Sequence, residues 1–394
     1  MGRNTVIYYF YTFFRNFAFF AAVLVPFYTE WGGITLFQAQ LLQSWFTFCV
    51  FALEVPTGAV ADYFGRKYSL FIGAIAVGIG AIVYGLVPNF LIFILGEFIF
   101  ALGIALMSGA DNALIYDSLD SVKKRQESKK IFGQAYSFSM MGMLVSAPLG
   151  GFIAYRYGIN YAMILTSVPY FFAAFLALFL VEPPRRKAMI EGTKYFQIVQ
   201  SGIWFFAKHS KLRLMALDAI IIASTGYFVI WLYQPVLLKL NIPISLFGLI
   251  HGAFVFSEIV VAANFMRLEK MMKSSANYLK LGVVLTVLGF FIVGIFPSLW
   301  SVFLLIILAG GFGLTRFEYY SALMNKYINS AERATVLSTI SMLRRFALFI
   351  LNPIVGLLAD RNLAMAFLSL GILSLTALLI NHEQKKDLRI VGKA

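Results

Sequence analysis

The chain reads as an all-α integral membrane protein of about twelve transmembrane helices, and three observations carry that reading. Its 394 residues are 60% hydrophobic and only 13% charged, whereas soluble domains carry roughly 45–50% apolar and about 25% charged residues. The mean hydropathy is +0.82. Apolar runs of about 20 residues, each able to cross about 30 Å of hydrocarbon, recur along the whole chain. A water-soluble fold is excluded by that repetition.

Apolar runs bounded by charge, Pro or Gly predict helices over 5–28, 35–61, 68–87, 90–116, 131–155 and 159–181, then 212–235, 245–266, 276–296, 299–322, 334–358 and 362–381. Laid on this pattern with the N-terminus inside, the 32 Lys and Arg residues sort into 25 inside, 3 outside and 4 within helices. The positive-inside rule expects that asymmetry of a cell-membrane protein with both termini in the cytoplasm. The net charge of +14 is thereby explained without a nucleic-acid partner. The first helix has only the weakly basic flank Met1-Gly2-Arg3 and no small-residue cleavage site before Glu30-Trp31, so it is expected to stay in the mature protein. Cys49, the single cysteine, lies within the second predicted helix, which excludes an intrachain disulfide and a cysteine-based metal site.

Between the sixth and seventh helices the chain turns polar, from Glu182-Pro183-Pro184-Arg185-Arg186-Lys187 to Lys208-His209-Ser210-Lys211. This divides it into a six-helix bundle over 1–181, a cytoplasmic loop over 182–211, a second bundle over 212–381 and a tail over 382–394. Within the loop, Tyr195 to Phe206 has helical apolar spacing and basic flanks, which suits a short helix lying on the membrane surface. The halves carry a weak repeat. Pro148-Leu149-Gly150-Gly151 matches Pro353-Ile354-Val355-Gly356 at an offset of 205 residues, and the same offset carries Glu127 onto Glu332. Two related bundles with a midplane site between repeats are how many transporters are built.

After the second helix comes Gly58-Ala59-Val60-Ala61-Asp62-Tyr63-Phe64-Gly65-Arg66-Lys67. Gly58 suits close helix packing, Gly65 a tight turn, Arg66 and Lys67 a loop held inside, and Asp62 an anion at a helix N-terminus. The same residues would also serve as a plain positive-inside turn. The pattern resembles the signature loop of the major facilitator superfamily. Glu54-Val55-Pro56-Thr57, Ser108 to Leu119 and Arg333-Ala334-Thr335-Val336-Leu337-Ser338 resemble a bacterial and archaeal branch of it, distantly similar to drug/proton antiporters. The resemblance implies two pseudo-symmetric six-helix bundles, alternating access, and Asp62 docked near Arg333 as a cytoplasmic latch. Two departures weaken the label of drug exporter. The segment from Gly96 to Gly103 lacks the arginine those exporters usually carry, and their helix-five signature survives only as Ala147-Pro148-Leu149-Gly150-Gly151.

Ionisable groups at membrane depth cost roughly 2.5–3.5 kcal/mol each on insertion scales and mark function by default. Asp111, Glu258, Glu97 and Asp218 are the candidates for proton coupling. Arg15, Arg316, Glu318, Arg344, Arg345, Tyr227 and Trp231 are the candidates for a substrate cavity. The offset of 205 carries Asp111 onto Arg316 and brings Arg15 to within two residues of Asp218. Since helices one, four, seven and ten line the cavity in the family, Asp111 with Arg316 and Arg15 with Asp218 are the expected couples.

Proton-coupled export of a small organic or amphipathic molecule follows as the leading expectation. Uptake of an organic anion is the alternative, favoured by the four intramembrane arginines. A channel fits the composition but not the repeat. No nucleotide-binding loop supports a pump. The three histidines, His209, His251 and His382, are scattered, so neither an enzyme nor a metal is implied, and no cofactor. The expected partners are the substrate, protons and the bilayer, with the protein a monomer.

Overall fold

The computed structural model describes residues 2–122, 124–183, 210–324 and 333–391. Among these are twelve helical spans long and apolar enough to cross a membrane: α1 (Arg3–Trp31), α2 (Leu36–Glu54), α3 (Arg66–Leu86), α4 (Phe90–Ser121), α5 (Ser128–Tyr157), α6 (Ile159–Ala177), α7 (Leu212–Lys239), α8 (Ile244–Met271), α9 (Ser275–Ile295), α10 (Leu299–Ser321), α11 (Val336–Arg361) and α12 (Leu363–Ile380). The α2 helix runs on to Phe64. The helix of α12 runs on to Val391, so the backbone of the expected tail is helical to that point. The surface helix expected over 195–206 lies outside the described residues.

The starts of the spans follow from local chemistry. Thr35 and Gln38 form a reciprocal capping box at α2, Asn89 caps α4, Ser274 caps α9, and Ser298 with Ser301 boxes α10, each satisfying backbone N–H groups that the first turn leaves open. Four spans expected as plain helices are interrupted, α6 only briefly, at Thr166 between Ile159–Leu165 and Ser167–Ala177. In α1 the helix Arg3–Arg15 stops at Asn16 and resumes in short segments from Phe19. In α4, Met107 ends one helix and Ala110 begins the next, with Gly109 between them at φ +74°, a left-handed conformation that glycine adopts without strain. In α10, a π-helical stretch over Ile306–Leu314 precedes the helix from Arg316.

The chain forms two compact units, Met1–Gly192 with Pro243–Gly252, and Thr193–Ile242 with Ala253–Ala394. The first has a core that includes Tyr11, Leu70, Val77, Leu114 and Tyr170, and the second one that includes Leu212, Tyr278, Tyr320 and Ile340. Helices in lipid associate by close packing rather than by hydrophobic exclusion, so small residues carry their contacts. In the first unit, Gly150 lies against the backbone of Phe19 at the interruption of α1. Gly151 lies against Gly248 in the first turns of α8, where a Cβ on Gly151 would come within 2.7 Å of the Gly248 nitrogen. The Pro-Leu-Gly-Gly segment therefore acts as a backbone-to-backbone seat. Pro148 sits inside a helix that continues through it. Gly151→Leu is expected to cost about 1–3 kcal/mol of stability by overpacking, read as a lower melting temperature of the purified protein. Gly58, expected to bring α2 against a neighbour, has nothing within 4 Å of its Cβ direction among the described residues.

Candidate functional site

The signature loop is held by contacts that its own residues do not advertise. Gly65 ends the α2 helix at φ +115°, where an L side chain would be strained, and its N–H donates to the Ala61 carbonyl. The first two N–H groups of α3 are capped from a distance. Arg66 N–H donates to Glu182 Oε1 at 3.0 Å and Lys67 N–H to Glu182 Oε2 at 2.9 Å, a carboxylate at the positive end of a helix. The Arg66 guanidinium pairs with Asp117 on α4. Asn4, at the start of α1, donates to Ser118 and to the Val181 carbonyl and accepts from Val181 N–H. Four helix ends are thus tied together at one end of the first unit. Glu182→Ala is expected to destabilise by about 1 kcal/mol, the usual cost of a lost cap, with thermal unfolding as the check. Asp62 is exposed at the end of the α2 helix. The Arg333 side chain, its expected partner, lies outside the described side chains.

Deeper in the first unit, an ion pair forms where two helices stop. Arg15 is the last residue of its helical segment and Asp111 lies in the first turn of the segment after Gly109. Each charge therefore faces the helix end whose dipole favours it. Arg15 Nη1 donates to Asp111 Oδ2 at 2.7 Å, and the Asn112 N–H donates to Asp111 Oδ1 at 2.6 Å. Tyr8 donates to Asn112 Oδ1 at 3.2 Å, and the Tyr11 ring lies 5.8 Å from the guanidinium. The Arg15 side chain keeps 25% of its surface and that of Asp111 keeps 7%. It is a single, one-sided contact with room on the cation's side.

The second unit holds a counterpart of different construction. Arg316 donates to both oxygens of Asp218, through Nε at 3.0 Å and Nη2 at 2.8 and 2.9 Å, and through Nη1 to the Leu279 carbonyl at 2.7 Å. Its guanidinium lies 5.2 Å from the Tyr320 ring. The two side chains retain 2% and 0% of their surface. This is a fork-shaped, fully paired arrangement with almost every donor used.

These partners correct the couples expected from the sequence. Asp111 holds Arg15 and Arg316 holds Asp218, each pair within its own unit. An offset between repeats relates equivalent positions, which need not touch; each of these charges pairs instead with a neighbouring helix of its own unit. The offset does describe something real: the acid is on α4 in one unit and the base on α10 in the other, so the pairs occupy equivalent places with reversed polarity.

Of the remaining candidates, Glu97 is buried and meets Tyr28 and Gln43. In the second unit Glu318 is exposed on α10 and Glu258 is half-buried on α8. Arg344 is half-buried on α11 with its guanidinium 5.2 Å from the Phe317 ring and its Nε without a hydrogen-bond partner. Arg345 and Tyr227 are half-buried, and Trp231 is buried. Residues that sequence reasoning missed are Glu182, Gln43 and Tyr28, each lacking any motif of its own, and Asp117, which lies within the Ser108 to Leu119 segment with no role of its own assigned there.

The sequence model of the Major Facilitator Superfamily matches residues 5–351. The chain belongs to this superfamily. Membership makes it a multi-pass membrane transporter with the superfamily's fold of two six-helix bundles. Over 238 residues it is 29% identical to the multidrug resistance protein MdtG of Dickeya zeae, covering 57% of this chain and 55% of that protein. Over 159 residues it is 21% identical to an uncharacterized MFS-type transporter of Methanocaldococcus jannaschii, covering 40% of this chain and 38% of that one. The alignments thus span about half the length, or less, of these curated relatives. Among solved structures of the superfamily, the nucleoside transporter NupG superposes with a TM-score of 0.75 at 12% identity, over 98% of each chain. A D-xylose-proton symporter gives 0.72 at 15% identity, over 95% of this chain and 96% of that one. At such identities the likeness shows the fold alone.

Proposed function

We propose that this superfamily member is a proton-coupled exporter of a small organic or amphipathic molecule, and that its coupling group is Asp111 with Arg15 as the cation it releases. The contrast between the two ion pairs carries the proposal. A pair that must break once per cycle needs few bonds and incomplete burial, as the single bond and the partly exposed Arg15 side chain provide. A pair with three hydrogen bonds between its members and almost no exposed surface, like Asp218 and Arg316, is built to persist. Protonation of Asp111 removes the charge that holds Arg15. It does so at the interruptions of α1 and α4, where the backbone can rearrange with the least loss of helical hydrogen bonds. Such a change, repeated once per cycle, biases which face of the membrane a binding site opens to. Export is supported by the partial likeness to the multidrug resistance protein. The distribution of basic residues supports a cell-membrane orientation with both termini cytoplasmic.

A second reading, proton-coupled uptake of an organic anion, is favoured by Arg344, whose Nε is buried without a hydrogen-bond partner in the second unit. Proteoliposomes of known orientation with an imposed pH gradient separate the two. Export predicts that a lipophilic dye or drug moves against the proton flow, saturably, and that collapsing the gradient stops it. Uptake predicts an anionic solute moving with the protons. Flux that neither saturates nor responds to the gradient would overturn both.

A further inference from the structure

Among the described residues, the first unit buries one carboxylate that meets no cation. Glu97 lies on α4 fourteen residues before Asp111, which places it about 20 Å away along the span at 1.5 Å per residue. Its neighbours come from three other spans. Gln43 on α2 donates from Nε2 to Glu97 Oε1 at 2.7 Å, and the Tyr28 hydroxyl on α1 lies 3.2 Å from the same oxygen. The Tyr84 hydroxyl on α3 is 3.2 Å from that of Tyr28. The cage is built closely. A Cβ on Gly96 would come within 2.5 Å of the Tyr84 ring, so the ring rests on the backbone of α4 next to Glu97. Phe93, one turn earlier on α4, stacks on Tyr84 with centroids 5.5 Å apart.

The titratable groups facing Glu97 are Tyr28 from α1, Cys49 from α2 and Tyr84 from α3. All three are neutral near pH 7 at their ordinary values. Among the described residues, no Lys, Arg or His pairs with it. An ionised carboxylate at membrane depth without a counter-charge is strongly disfavoured. Gln43 and Tyr28 both meet Oε1 and the Tyr84 hydroxyl also meets the carboxyl, so a proton on Oε2 disturbs neither bond to Oε1. The neutral acid then accepts twice at Oε1 and keeps one O–H to donate.

We propose that Glu97 is a second proton-binding site of this protein, separate from the Arg15–Asp111 pair and exchanging no ionic partner. The O–H bond forms on Oε2 with a proton drawn from hydronium on the side to which the cage opens. Losing that proton leaves a bare charge that the closed cage does not hold, so deprotonation and opening of the α1–α4 contacts go together. The site depends neither on the cargo nor on the direction of transport.

Infrared spectroscopy of the full-length protein in lipid vesicles, stepped between about pH 5 and about pH 9, reads the proton directly and needs no substrate. At about pH 7 the parent and Asp111→Asn are expected to share a protonated-carboxyl band that Glu97→Gln lacks. Glu97→Gln, a neutral mimic, is expected to melt within about 2 °C of the parent. Tyr28→Phe, which removes one donor to Oε1, is expected to shift the band and serves where Glu97→Gln does not fold. A parent spectrum identical to that of Glu97→Gln, or to that of Tyr28→Phe where Glu97→Gln does not fold, would overturn the proposal. So would a melting temperature lowered by more than about 5 °C in Glu97→Gln, the mark of a lost charged contact. Normal gradient-driven transport by Asp111→Asn would instead remove the coupling role of that pair and leave this site untouched.

Discussion

Asp218→Ala is expected to destabilise the protein by about 3–5 kcal/mol, the cost of stranding one member of a buried ion pair. Arg316 would keep its bond to the Leu279 carbonyl and its place beside the Tyr320 ring. Its bonds to Oδ1 and Oδ2 would be lost in a site that is almost wholly buried. Water has no ready entry. Gly282 packs so closely that a Cβ there would sit 3.0 Å from Nη1. Thermal unfolding and the yield of monodisperse protein are the measurements. Replacing both members by apolar residues, Asp218→Leu with Arg316→Met, is expected to recover most of the loss, since buried pairs often exchange for apolar packing at little cost. The double variant also tests the division of labour. It is expected to transport, because the pair is static. A well-folded double variant that cannot transport would show that Arg316 and Asp218 work in the cycle.

Asp111→Asn is expected to abolish gradient-driven transport, lowering it by about a hundredfold, because one charge-assisted hydrogen bond weighs the two states by roughly 2–3 kcal/mol. The same variant is expected to retain solute exchange, which needs no net proton movement. Stability should fall little, since the pair has a single bond and a quarter of the Arg15 side chain is unburied. Parallel assays of driven transport and of exchange decide the matter. Equal loss of both would mean that Asp111 positions the helices and does not carry the proton.

The spans were legible in the sequence because a helix in lipid must satisfy its own backbone and show an apolar surface, and both demands write themselves as runs of about 20 apolar residues. The individual charges were legible for a related reason: each is costly enough to stand out. Their partners were not. Arg15 and Asp111 are separated by 96 positions, and only the packing of α1 on α4 tells which of several acids the guanidinium meets. The interruption at Ser108-Gly109 was visible as residues but not as a break, because a glycine in a membrane helix is common and only its φ reveals the turn. Glu182 shows the converse. A carboxylate just past the end of α6 reads as loop, yet it caps α3 because the two helix ends are adjacent in the fold.

The long separation within each pair also bears on how the protein enters the membrane. Arg15 is synthesised 96 positions before Asp111, and Asp218 98 positions before Arg316. At roughly 5–20 residues per second, each early charge waits about 5–20 s for its counterpart. During that interval α1 carries an unpaired cation and α7 an unpaired acid, each opposing partition into lipid by roughly 2.5–3.5 kcal/mol. Both spans are therefore expected to linger beside the translocation machinery until α4 and α10 emerge, so that each unit leaves for the bilayer as a group of helices and not one at a time.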